Sequence, residues 1–258
     1  MRALLAAVAL LFLAACAPQN NEPAAPTKLR AHVLEEIPHD TAAFTEGLEI
    51  DGGILYEGTG LEGKSDLRAT DPDTGRVTKK TPLPREMFGE GITVVGDVIW
   101  QLTWQDGVAI KRDRDTLAEV GQATYSGEGW GLCHDDDRLV MSNGTARLTF
   151  RDPDTFDETG HVEVTDADGA PVPQLNELEC VGGAVYANVW KTDRIVRIDP
   201  RDGKVTATVD LTGLLPAADR AEADVLNGIA AIPETDEFLV TGKLWPTMFR
   251  VKFVTEGD

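Results

Sequence analysis

Ten residues, spaced along the chain at two recurring places, are of types that could do chemistry together. The first set is Glu46, Glu90, Trp130, Asn176 and Asn227. Each stands at the opening of a short apolar run: TEGLEI (45–50), GEGITVV (89–95), GWGLCH (129–134), LNELECV (175–181) and LNGIAAI (226–232). The second set is Gly60, Trp104, Gly144, Trp190 and Lys243, which close the apolar run that follows each opening. Two carboxylates, two amides, a lysine and three indoles are a poor set for a dry core, because buried charges and amides need partners. They suit a polar site in which carboxylates move protons and flat apolar walls shape a slot. There are four histidines, and none falls at these positions, so the pattern offers no Ser/His/Asp triad.

The spacing says what positions them. After each opening come a second apolar run and then a third: SDLRATD, GVAIKRD, ARLTFRD, DRIVRID and TMFRVKF. Four of these end in Asp, and three continue as Asp-Pro turns (DPDTG, DPDTF, DPRDG). A fourth run closes most units, for example HVEV (161–164) and VTATVDL (205–211). The unit is therefore four short antiparallel strands repeated five times at about 40–50 residues, the period of a propeller blade. This predicts an all-β fold, a five-bladed β-propeller with four-stranded antiparallel blades. The fifth unit lacks its last strand, and LRAHVLEEI (29–37) is placed to supply it and close the ring. Only Pro216 to Val225 offers a turn of helix. Because an antiparallel hairpin sets the end of its second strand beside the start of its first, both residue sets fall on one face. The fifth hairpin fits this alignment with two extra residues in its turn. A two-sheet sandwich would leave five equivalent openings without a reason.

Bulk properties narrow the partners. The formal charge of -20 excludes a nucleic-acid binder, which needs a basic surface, and electrostatic docking on anionic lipid. Residues 1–15 read as a signal peptide of the lipoprotein type: a basic start, an Ala/Leu-rich run too short to span a bilayer, and Leu13-Ala14-Ala15 before Cys16. Lipidation of Cys16 would place the protein on the periplasmic or extracellular face of a bacterial membrane, held by its lipid anchor alone. Residues 16–28 read as a flexible tether, and 29–258 as the catalytic propeller, expected to be a monomer. Export permits a bridge between Cys133 and Cys180; two buried free thiols are the alternative.

The chain also resembles the plant and bacterial type of glutaminyl-peptide cyclotransferase. The resemblance runs through PHDTAAFTEGL (38–48), LYEGTGLEGKSDLR (55–68), FGEGITVVGDVIWQLTW (88–104), GEGWGL (127–132), LNELE (175–179), YANVWKTDRIVRID (186–199), VLNGIA (225–230) and VTGKLW (240–245). It implies a five-bladed propeller that closes the N-terminal glutamine of peptides or proteins to pyroglutamate and needs no metal for the chemistry. It implies that Glu90 is the catalytic carboxylate and that Trp104, Trp130, Asn176, Trp190 and Lys243 bind substrate. Phe44 and Glu46 align with a Phe-Thr-Gln-Gly stretch of that family, so Glu46 departs from the family's glutamine. Two other readings use the same positions: a propeller that binds without catalysis, and a calcium-dependent lactonase-like propeller. A structural ion in the central channel is compatible with any of the three.

Overall fold

A computed structural model describes residues 25–255. Cys16 and the signal segment lie outside the described residues. The chain starts with β1 (Thr27–Pro38) and then repeats a meander of four strands. The first unit is β2 (Thr45–Asp51), β3 (Ile54–Thr59), β4 (Asp66–Thr70) and β5 (Val77–Pro82). The second is β6 (Gly89–Val95), β7 (Val98–Thr103), β8 (Val108–Asp113) and β9 (Glu119–Thr124). The third is β10 (Leu132–Asp135), β11 (Arg138–Met141), β12 (Arg147–Arg151) and β13 (Glu158–Glu163). The fourth is β14 (Leu175–Val181), β15 (Ala184–Val189), β16 (Arg194–Ile198) and β17 (Val205–Asp210). The last run is β18 (Leu226–Ala231), β19 (Glu237–Gly242) and β20 (Thr247–Thr255). The helical turn expected between 216 and 225 is a single 3₁₀ turn, Ala217–Asp219.

The first three units are separate four-stranded sheets, and the remaining strands form one eight-stranded sheet ordered β14-β15-β16-β17-β1-β20-β19-β18. In it β1 runs antiparallel to β20, from Leu29 opposite Thr255 to Pro38 opposite Thr247, and so supplies the outer strand that the last run lacks. Its first residues also lie parallel to β17, Thr27 to Arg30 opposite Ala207 to Asp210. The sheet thus begins two residues before the expected tether boundary: Thr27 and Lys28 are paired backbone, because β17 offers an open edge there.

Local chemistry explains the repeat. The first hairpins turn at Gly52-Gly53, Gly96-Asp97, Asp136-Asp137 and Gly182-Gly183, where positive φ is needed for a tight right-twisted connection. The fifth has a longer turn between Ala231 and Phe238, as the alignment required. At the ends of the third strands Asp71, Asp113, Asp152 and Asp199 each accept backbone N–H groups two or three residues on, so the repeated Asp is a turn former.

Five apolar clusters lie between successive units. Tyr56 and Leu67 pack on Ile92 and Ile99. Trp100 and Leu102 pack on Leu132 and Leu139. Val140 and Leu148 meet Leu178 and Val185, and Ile195 and Val209 meet Ile229 and Phe238. Leu239 and Met248 then return to Leu48, Leu55 and Ile37. Strands β2, β6, β10, β14 and β18 follow the same cycle, each touching the next and β18 touching β2. The fold is all-β and propeller-like, with its first strands gathered at the centre. A disulfide between Cys133 of β10 and Cys180 of β14 ties two of these inner strands, which decides between the two readings of the cysteines.

Candidate active site

The site residues owe their direction to a repeated irregularity. Pairing of the first hairpin slips between Thr45 and Gly47, of the second between Gly89 and Ile92, of the fourth between Leu175 and Leu178, and of the fifth between Leu226 and Ile229. Such bulges re-aim side chains. Glu46, Glu90, Asn176 and Asn227 sit inside these four slips. The glycine that follows Glu90 has a steric reason: a Cβ on Gly91 would stand 2.6 Å from the Trp130 carbonyl, whose oxygen already accepts the Gly91 N–H. In the third unit the pairing is instead extended outward through Trp130 and Ser142, which carries Trp130 to the same level.

Glu46, Glu90, Trp130 and Asn176 line a cavity of about 340 Å³. Glu46, Glu90, Asn176 and Lys243 form its buried polar floor. Trp104, Trp130, Trp190, Phe44 and Phe88 form the walls. Trp130 meets Trp190 edge to face at 5.4 Å between ring centroids, and Phe88 links Phe44 to Trp104 at 6.1 and 5.7 Å. A single carboxylate, Glu128, orients two of the indoles: its Oε2 accepts Trp104 Nε1 at 2.9 Å and Trp130 Nε1 at 3.0 Å, while Oε1 accepts Gln105 Nε2. Partial burial opposes its charge, yet the bonds from Gln105, Trp130 and Trp104 hold Glu128 below the usual carboxylate range.

The floor is electrostatically tight. Lys243 Nζ donates to Glu46 Oε1 at 2.6 Å and lies 4.7 Å from the centre of the Phe44 ring. Asn227 Nδ2 donates to Glu46 Oε2 at 3.2 Å and to the Thr45 carbonyl at 3.0 Å. The Glu46 and Glu90 carboxyls are neighbours, and each bears on the charge of the other. Burial pushes Glu46 up to about 7 against the pull of the Lys243 ammonium. Burial and then the neighbouring Glu46 charge push Glu90 well above the usual carboxylate range. Both carboxyls are thus pushed toward the neutral form, Glu46 against the pull of the Lys243 ammonium and Glu90 with the neighbouring carboxyl adding to burial. Two polar atoms of the cavity lining have no partner within the protein, Glu90 Oε2 and Asn176 Oδ1, and beneath them Asn227 Oδ1 has none either. A buried acceptor left open is costly unless something binds it.

Further along the inner strands, Glu177 uses both carboxylate oxygens on the backbone N–H groups of Leu48 and Ile229. Among the described residues, no group of three or more His, Cys, Asp or Glu side chains is placed to hold a metal ion.

The structure brings all eight expected residues, Phe44, Glu46, Glu90, Trp104, Trp130, Asn176, Trp190 and Lys243, to one cavity. Asn227, the fifth member of the ring, does not line it and acts from below through Glu46. Phe88, Glu128, Lys191, Asp224 and Val225 were missed. Phe88 and Glu128 flank the Gly-Glu-Gly and Gly-Trp-Gly runs directly, so their position was a usable signal; the other three come from connections that the repeats do not align.

The description Glutamine cyclotransferase belongs to the family model that matches residues 4–253. A glutaminyl-peptide cyclotransferase of Arabidopsis thaliana is 39% identical over 226 residues, spanning 85% of this chain and 70% of that protein. The crystal structure of Myxococcus xanthus glutaminyl cyclase is similar with a TM-score of 0.83 at 37% identity, covering 89% of this chain and 99% of that one.

Proposed function

The chain belongs to the glutamine cyclotransferase family, and from that membership we propose that it closes the N-terminal glutamine of peptides and proteins to pyroglutamate with release of ammonia, Glu90 serving as the proton shuttle. The observation that carries the mechanism is Glu90 buried on the floor of an aromatic cavity, with Oε2 unpartnered beside an ion-paired neighbour.

The substrate holds both reacting groups, so binding mainly has to fold the glutamine side chain back on its own amine. The tryptophan walls favour that compact shape and exclude water. The free α-amine attacks the γ-carboxamide carbon, and a C–N bond forms. The ring nitrogen must then lose a proton and the departing nitrogen must gain one. Glu90 gives its proton to the departing nitrogen and takes the one from the ring nitrogen, so the enzyme ends as it began and ammonia leaves. Lys243 supplies positive charge near the oxyanion, and Asn176 Oδ1 is an open acceptor for the amine. The two reacting groups arrive on one molecule, and no step in this sequence calls for a cofactor. A structural ion in the channel is an independent proposal.

Incubating the purified chain with a glutamine-led peptide tests the reading. The expected result is a product lighter by one ammonia, with free ammonia in solution. An unchanged peptide would end it.

Three finer points belong to the same proposal. The eight-stranded sheet counts as two blades joined through β1, which makes five around the ring of first strands. That ring closes within one chain, in keeping with a monomer. Lipidation of Cys16 after export, as the Leu-Ala-Ala-Cys run suggests, would anchor it to a membrane. A Cys16→Ser variant released into the soluble fraction supports the anchor; one still membrane-bound removes it.

A further inference from the structure

Trp104 is a wall of the aromatic cavity, yet it is 37% exposed, so burial alone does not fix it. Its backbone is held on two sides: its N–H donates to the Phe88 carbonyl at 3.0 Å, and its carbonyl accepts the Gly129 N–H at 3.0 Å. The residue before it, Thr103, is fully buried and leaves the strand ladder early. β7 pairs with β8 as far as Leu102 opposite Ala109. At the next step the Thr103 hydroxyl stands in for the backbone, donating to the Val108 carbonyl at 2.8 Å and accepting the Val108 N–H at 3.1 Å. The Thr103 peptide groups on that side then need another partner, because an unmet buried peptide group is costly. The Tyr125 phenol is that partner: its Oη donates to the Thr103 carbonyl and accepts the Thr103 N–H at 3.2 Å. Burial pushes this phenol up to about 12, so it keeps the proton that it donates.

Tyr125 is itself well seated. Its N–H donates to the Gly107 carbonyl at 2.8 Å, its ring lies 6.0 Å from that of Phe156, and the Arg151 guanidinium lies 5.4 Å from its centre. Gly129 packs directly on the hydroxyl: a Cβ there would stand 2.4 Å from Tyr125 Oη. One phenol thus joins the strand end that carries Trp104 to the segment that carries Glu128 and Trp130.

Resting on the cyclotransferase reading, we propose that Tyr125 is a positioning residue for the reaction, whose hydroxyl closes the open end of β7 and so fixes the Trp104 wall against which the glutamine side chain folds. Tyr125 does not line the cavity and acts through Trp104. Glu128 fixes the indole N–H of Trp104, and Tyr125 fixes the backbone from which that indole grows.

The test is Tyr125→Phe in the intact chain, with Gln-Ala-amide as substrate. KM should rise about tenfold, the order of the one or two hydrogen bonds removed, with kcat held within about twofold. Tryptophan fluorescence should shift with it. In a Trp104→Ala background the same change should raise KM no further, because the wall it positions is gone. An unchanged KM in Tyr125→Phe, even with a lowered melting temperature, would overturn the proposal, and so would an equal rise in KM in the Trp104→Ala background. If Tyr125→Phe does not fold, hydrogen exchange on the unaltered chain decides: the Thr103 amide should exchange as slowly as the amides within β7, and fast exchange there would overturn the proposal. Failure of the unaltered chain to release ammonia from Gln-Ala-amide would instead remove the cyclotransferase reading, and the positioning role with it.

Discussion

Two sets of buried charges meet at one end of this molecule, and they are built to opposite ends. One is Glu46, Glu90 and Lys243 on the cavity floor. The other is His39, Glu57 and Arg68, which begins one residue away, at Thr45, whose hydroxyl donates to Glu57 at 2.7 Å. In the second set every charge is met. His39 bonds Glu57 Oε1 at 3.0 Å through Nε2 and the Trp245 carbonyl at 2.7 Å through Nδ1. Arg68 forks onto Asp66 at 2.7 and 2.8 Å and reaches Asp40 at 2.9 Å. Burial opposes the charge on His39, but the Glu57 charge and the hydrogen bonds outweigh it and raise the imidazole above its ordinary value. Burial likewise opposes Glu57, yet His39, Arg68 and Thr45 hold it below the usual carboxylate range. The cavity floor has the reverse balance: burial wins, the carboxyls are pushed toward the neutral form, and two acceptors stay open. Burial thus leaves locked ions where partners are complete and carboxyls pushed toward their neutral form where they are not.

The sharpest way to separate the two sets is Glu90→Gln. It should lower kcat by roughly 10²–10⁴-fold, the usual worth of a positioned acid or base, while the melting temperature holds or rises. Retained turnover would break the contrast. Glu57→Gln should do the opposite. It leaves His39 and Arg68 with less compensation in a buried place and should cost about 3–5 kcal/mol in urea denaturation, with kcat of the folded fraction unchanged.

The pH dependence of stability follows from the same shifts. His39 is raised, so its contribution is complete below its ordinary 6.5 and is lost as pH rises through the higher folded value. Glu57 is lowered, so its contribution is complete above its ordinary 4.5 and is lost as pH falls through the lower folded value. Both are whole between pH 4.5 and 6.5. Glu46 and Glu90 are raised, so the unfolded chain ionises first and stability declines as pH climbs from 4.5 toward their folded values. The unfolding free energy measured from pH 5 to 8 should fall, and Glu90→Gln should flatten part of that slope.

A smaller effect is expected from Glu46→Gln, the residue that the resemblance makes familiar there. Removing the Glu46 charge lowers the Glu90 pKa, so the alkaline limb of kcat should move to lower pH. An unmoved limb would uncouple the two carboxyls. The smallest effect is Glu128→Ala, which frees the Trp104 and Trp130 indoles from their common acceptor. KM should rise a few-fold with kcat nearly unchanged, accompanied by a shift in tryptophan fluorescence; an unaltered KM and spectrum would leave Glu128 without an orienting role.

What the amino-acid sequence determined by itself was the repeat. Strand alternation, Gly-Gly and Asp-Pro turns and the missing outer strand are local in the chain, and local backbone chemistry sets them. Equivalent positions in repeats that pack around one centre must come together, which is why Trp104, Trp130, Trp190 and Glu90 were legible before any coordinates. Tertiary structure alone decided the rest. The ion pair between Lys243 and Glu46, which the alignment only put on one face, spans 197 positions of chain, Cys133 closes on Cys180 across 47, and β1 pairs with β17 besides the expected β20. No local pattern encodes the bulges that aim Glu46 and Asn176 inward, or the push of burial on two neighbouring carboxyls toward their neutral form. Those depend on distance and on the loss of water around each charge, and both exist only once the ring has closed.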